Sequence, residues 1–72
     1  MKANISFFEY KGHIIKKGTK FTTDLGLGGP LDEEVFAITL ENDEVVVETV
    51  TNSGCFISRN WDDMKDSIVK FN

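Results

Sequence analysis

Cysteine and histidine each occur once in this chain, as Cys55 and His13. A single cysteine excludes an intrachain disulfide. A single histidine beside it leaves too few ligands for the usual zinc sites, so no metal or other cofactor is expected. Proline is also single, Pro30, and Arg59 is the only arginine. No apolar run approaches the roughly 20 residues of a membrane-spanning helix, so no membrane association is expected. The stretch from Met1 to Tyr10 lacks a long apolar run and carries Glu9, which argues against a signal peptide. A lone cysteine fits a reducing compartment, and the expected localisation is cytoplasmic. With 72 residues the chain makes one domain spanning 1–72. A domain of this length buries a modest share of its surface. Without disulfides or metal, good packing and self-association are the remaining sources of stability.

What is present is charge, unevenly placed. Five lysines stand between Met1 and Lys20 against one glutamate, Glu9. From Phe21 to Ser58 there is no lysine or arginine, and eight carboxylates lie between Asp24 and Glu48. The chain carries a net charge of −4. Such asymmetry marks either an interaction surface or two segments that neutralise each other once folded.

The clearest local pattern runs from Val35 to Val50. Two stretches rich in β-branched residues flank Asn42-Asp43, which is the signature of a β-hairpin. With that pair as the turn, Leu40 faces Val45, Ile38 faces Val47 and Phe36 faces Thr49. A slip of one residue would scramble this apolar face. Before the hairpin, Asn4 to Tyr10 reads as a strand with apolar residues on both faces, Ile5 and Phe7 against Phe8 and Tyr10. Lys11-Gly12 turns it back into His13 to Lys16, and Lys17-Gly18 leads to a short run centred on Phe21. Asp24 to Glu34 reads as a long loop in which Leu25, Leu27 and Leu31 cover an open end of the sheet and the glycines allow sharp bends.

After the hairpin, the run from Thr51 to Gly54 turns the chain into Cys55 to Ser58. A three-residue loop ending in Gly54 places Cys55 and Ile57 on the face of Ile38 and Val47; a two-residue turn places Phe56 there instead. Asn60 suits an N-cap, Asp62 and Asp63 suit a first turn, and Trp61, Met64, Ile68 and Phe71 recur at helical spacing. This predicts a short C-terminal amphipathic helix over 61–71, against the alternative of one helical turn followed by a final strand. The expected core is Phe7, Ile15, Phe21, Phe36, Ile38, Leu40, Val45, Val47, Ile57, Trp61, Met64 and Ile68. The fold class is α+β or mostly β: a small, strongly bent antiparallel sheet of about five strands. Short strands around a hairpin with one helical turn before the end make a layout similar to SH3-like barrels, a likeness of fold that implies no function.

No motif carries a specific chemistry, and a non-enzymatic protein is expected. The stretch Gly26-Leu27-Gly28-Gly29-Pro30 lacks the lysine and Ser/Thr of a phosphate loop, and three carboxylates follow it. The acidic runs lack the alternating ligands of a calcium loop. Cys55 and His13 are the only nucleophile and base available, and a thiol in this setting reads as a small buried apolar group. Lysines near Phe7, Phe8 and Tyr10 suit single-stranded nucleic acid locally, but the acidic balance and single arginine argue against it. The remaining signal is the acidic hairpin. Glu41 and Glu44 face each other across the turn at a local cost, and Asp43, Glu48 and the upstream Asp32, Glu33 and Glu34 add to that side. This points to a binding module that meets a basic protein surface through Glu41, Asp43, Glu44 and Glu48. An inhibitor or adaptor, for example a viral accessory protein, would fit. The alternative is a nucleotide-like small ligand held by Asp24, Gly26, Gly28 and Gly29 or at a subunit interface. A homodimer is expected, because one short core cannot cover both faces of the first strand.

Overall fold

The computed structural model describes residues 2–24 and 29–72. Strands β1 (Lys2–Asn4), β2 (Phe7–Tyr10), β3 (His13–Lys16), β4 (Lys20–Asp24), β5 (Pro30–Glu41), β6 (Glu44–Thr51), β7 (Phe56–Asn60) and β8 (Ile68–Phe71) carry most of the chain. A single helical turn, α1 (Trp61–Met64), and a 3₁₀ turn (Lys65–Ser67) separate β7 from β8. All pairings are antiparallel. The main sheet runs β7-β6-β5-β4-β8, and β1 also pairs with β5; β2 and β3 form a separate hairpin. The fold class is therefore mostly β with one short C-terminal helical turn, as the pattern predicts.

Everything is arranged around β5, which has 12 residues. One side of it pairs with β6 along its length, and the other side pairs with β4 near Pro30 and with β1 near Glu41. The β5–β6 hairpin has the expected register, with Leu40 opposite Val45, Ile38 opposite Val47 and Glu41 opposite Glu44. Asn42 and Asp43 both take positive φ, 51° and 66°. A two-residue turn that matches strand twist needs this, and Asn and Asp tolerate it better than most side chains.

The register departs from expectation at Phe36. Val35, not Phe36, lies opposite Thr49, and Ala37 lies opposite Glu48, so Phe36 is the extra residue of a bulge. The bulge switches the phase of β5. Glu33 and Val35 face the interior before it, and Ile38 faces the interior after it. Phe36 is consequently thrown to the outer face, 45% exposed, and is not part of the core. Phe7 and Leu40, also expected inside, are exposed too. Phe7 sits on the outward face of the β2–β3 hairpin, and Leu40 lies at the end of β5 beside the turn.

The core consists of Ile15, Phe21, Val35, Ile38, Val47, Trp61 and Met64. The β2–β3 hairpin folds over it with Phe8 and Tyr10 inward, and both rings meet Trp61 edge-on at 4.9 and 5.1 Å. Trp61 and Met64 are the buried side of α1. The single helix over 61–71 is not formed. Ile68 to Phe71 instead pairs with β4, with Phe21 opposite Phe71, and so covers an edge that a helix would leave open. Asn60 precedes α1 in extended conformation and makes no side-chain cap bond.

The β6–β7 connection is the three-residue loop, closed by the Thr51 amide donating to the Cys55 carbonyl at 2.8 Å, with Gly54 at φ 89°. Ile57 lies opposite Thr49 on the inner face, as that loop requires. Cys55 precedes the strand and is exposed, so it is not the buried apolar group its neighbours suggest. Leu31 is half-buried; Leu25 and Leu27 lie outside the described residues.

Candidate functional site

Alternation along the sheet decides which carboxylates share a face. On the outer face Glu41 and Glu44 are paired across the turn, Glu48 lies between Ala37 and Ser58, and Glu34 lies opposite Lys20 and Val50. Asp43 and Glu44 are exposed, whereas Glu41 and Glu48 are half-buried. The hairpin thus brings Glu41, Glu44 and Glu48 onto one surface, with Asp43 at its tip. The Asn60 side-chain amide donates to Glu44 Oε2 at 3.0 Å, and the Thr39 hydroxyl donates to Glu41 Oε2 at 3.3 Å. Small neighbours, Ala37 and Ser58, leave a shallow depression of about 90 Å³ around Glu48, rimmed by Lys2, Thr39 and Glu41.

Beside these carboxylates lies an aromatic pair, of which the sequence pattern assigns Phe36 to the core and leaves Phe56 open. Phe36 and Phe56 pack edge to face with centroids 5.2 Å apart, yet stay 45% and 60% exposed. Lys17 Nζ stands 5.7 Å from the Phe36 ring centre. Val50, the partner of Phe56, extends the apolar surface, and Glu34 and Glu48 border it on β5 and β6. The bulge at Phe36 creates this surface. The only sequence signal for it is the unbroken apolar run Val35-Phe36-Ala37-Ile38, which no strict alternation can accommodate.

Glu33 does not join its neighbours outside. It points into the sheet with its side chain fully buried, and Arg59 Nη2 forms an ion pair with Oε1. The Thr23 hydroxyl donates to Oε2, and the Thr49 hydroxyl donates to Oε1 at 2.6 Å. Arg59 is itself mostly covered, and its Nε and Nη1 are buried with no hydrogen-bond partner among the described residues. Side chains from three strands, the sole arginine among them, thus converge on one carboxylate. Burying such a charge is tolerable only with this pairing. A carboxylate that receives three donors inside the sheet is placed to tie β4, β5, β6 and β7 together. The expectation that Glu33 reinforces the outer acidic surface is overturned by this inward orientation.

The residues of the alternative ligand site divide. Asp24 and Gly29 are exposed at the open end of β4 and β5; Gly26 and Gly28 lie outside the described residues. Toward the other end of the β4–β5 pairing, Lys20, Asp32, Glu33, Glu34, Asn52 and Asn72 line a hollow of about 300 Å³ that neither Asp24 nor Gly29 reaches. Asp32 accepts from the Thr22 hydroxyl at 2.8 Å, and its carbonyl accepts from the Asn52 amide at 3.1 Å. His13 stacks on Phe71 at 4.0 Å, and Cys55 lies in the β6–β7 loop near Ser53. The two fall on different elements. Among the described residues no group of three or more His, Cys, Asp or Glu could hold a metal ion. No helix among them is long and apolar enough to cross a membrane. No family model matches the chain, and no curated protein or solved structure matches it either.

Proposed function

We propose that this protein is a non-enzymatic binding module, an adaptor or inhibitor, whose outer sheet face meets a basic protein surface. The observation that carries this reading is the exposed Phe36–Phe56 pair bordered by Glu34 and Glu48, with Glu41, Asp43 and Glu44 beyond them. Exposed aromatic rings packed on each other are the usual anchors of protein interfaces. Carboxylates outnumber lysines on this border, where Lys17 stands over Phe36 and Lys20 lies opposite Glu34, and an excess of one charge sign selects the partner and speeds encounter. The same reading takes the module as a symmetric dimer joined through the outward face of β2–β3, where Phe7 and Ile14 stay 60% and 46% exposed.

The test begins with affinity capture and purification of the partner, followed by titration. The E44K/E48K double variant is expected to bind at least about tenfold more weakly while keeping its fold in circular dichroism, since Glu44 is exposed and half-buried Glu48 is not among the buried polar groups. Unchanged affinity would remove the acidic surface from the interface. A second reading, a small nucleotide-like ligand held by Asp24, Gly26, Gly28 and Gly29 or at a subunit interface, draws no support from the hollow near Lys20, which neither Asp24 nor Gly29 lines and which Asp32, Glu33 and Glu34 make acidic. It requires that a nucleotide raise the thermal midpoint of the protein alone.

A further inference from the structure

The main sheet's path ends at two edges, β7 and β8, with the three-residue β1 a further short edge beside β5, and the two path ends are built differently. β8 has four residues, carries Lys70, and faces a register shift between Thr22 and Thr23. Such features discourage pairing with a further strand. β7 has five residues and pairs with β6 without a break. Its outer face presents Phe56, Ser58 and Asn60, none of them charged.

The backbone groups on this edge follow from the ladder. The Thr51 amide donates to the Cys55 carbonyl, and hydrogen-bonded and open pairs alternate from there. Ile57 and Arg59 therefore bond β6, while the amides and carbonyls of Phe56 and Ser58 point away from the sheet. The other hairpin gives the same answer. Ile38, opposite Val47, gives its carbonyl to the Ile5 amide at 3.0 Å, which turns Val47 toward Arg59.

The surroundings of the edge are acidic. Glu48 is the cross-strand partner of Ser58, Glu44 holds the Asn60 side chain, and Asp62 and Asp63 follow directly. Lys65 pairs with Asp62. Arg59, the only cation of β7, faces inward to Glu33, so covering this edge buries no unpaired charge. A second copy pairing β7 to β7 would bring another acidic border, whereas a basic segment brings the complement.

We propose that β7 accepts an extended, lysine- or arginine-bearing segment of the partner as an added strand. This rests on the basic-partner reading above. The main-chain groups of Phe56 and Ser58 supply the hydrogen bonds. The segment's residue beside Ser58 reaches over that small side chain toward Glu48, and an apolar residue covers Phe56.

The probe is a blocked heptapeptide, Thr-Phe-Thr-Lys-Val-Lys-Thr, which carries its phenylalanine and both lysines on one face when extended. It is titrated into the full chain with amide exchange followed by NMR. Binding is expected to protect the Phe56 and Ser58 amides. The variant S58P removes an edge donor that no internal bond uses, a position where proline is tolerated. It should weaken binding about tenfold, and E48K should weaken it similarly. Should S58P fail to fold, the peptide N-methylated at alternate amides makes the same comparison on the native protein. Absence of binding, or binding with Phe56 and Ser58 still exchanging freely, overturns the proposal. Loss with E48K but not with S58P or N-methylation overturns strand addition and leaves the basic-partner reading standing. Loss with S58P but not with E48K overturns the basic occupant.

Discussion

At the scale of single residues, Glu33 and Arg59 carry the sharpest consequence. The ion pair is inside the sheet, with the Glu33 side chain fully covered. Removing one partner leaves the other charge buried and uncompensated, which costs about 3–5 kcal/mol. A domain of this size has little more than that in total. Arg59→Met alone is therefore expected to leave the chain largely unfolded in a urea titration. Glu33→Leu combined with Arg59→Met should be more stable than the single variant, since neither charge is then stranded. A double variant no more stable than Arg59→Met would mean that the pair does not act as a unit. The sequence hid this pair for a physical reason. Glu33 stands between Asp32 and Glu34, and only the alternation Leu31, Glu33, Val35 separates an inward carboxylate from two outward ones. Once the fold is known the pairing is natural, because Arg59 alternates with Ile57 on the same inner face.

At the scale of elements, legibility follows how much each segment's pattern constrains it. The β5–β6 hairpin was readable because turn chemistry and alternation agree at Asn42-Asp43 and at Ile38 opposite Val47. The bulge was not, since Val35, Phe36, Ala37 and Ile38 are all apolar and any phase satisfies them locally. The terminal segment was ambiguous because Trp61, Met64, Ile68 and Phe71 fit helical spacing while Ile68 and Val69 favour a strand. The unpaired edge of β4 decided between them. Of the candidate site, the grouping of Glu41, Glu44 and Glu48 was legible and the aromatic pair was not, because Phe36 reaches the surface only through the bulge. The bulge makes a direct prediction. Val35→Ala removes a fully buried side chain and should cost about 2 kcal/mol in chemical denaturation. Phe36→Ala, the larger truncation, should cost less than about 1 kcal/mol because nearly half of the residue is exposed. The reverse order would place Phe36 in the core and Val35 outside.

At the scale of the whole molecule, the charge asymmetry of the chain is partly folded away. Lys2 lies opposite Glu41 and Lys20 opposite Glu34, which sets basic strands beside acidic ones. Close ion pairs are nonetheless few, with Arg59–Glu33 and Lys65–Asp62 those formed among the described residues. The charge is thus spread over the surface and leaves the outer hairpin face acidic. The first strands raise a separate question of coverage. Phe8 and Tyr10 are satisfied within the chain by Trp61. Phe7 and Ile14 point the other way, beside Lys16 and Glu9, and stay exposed. Each copy therefore offers an apolar pair flanked by one base and one acid, a self-complementary arrangement for a two-fold contact. The expected outcome is a mass of two chains in light scattering at micromolar concentration and moderate salt. Replacing Phe7 and Ile14 by serine should return the mass to one chain without lowering the monomer's own stability by more than about 1 kcal/mol, because neither side chain belongs to the core. Serine variants that stay dimeric would move the contact elsewhere. A native protein that is one chain across a wide concentration range would mean that this hairpin face is simply solvated, and that packing of Trp61 under Phe8 and Tyr10 is stabilisation enough for a chain of this length.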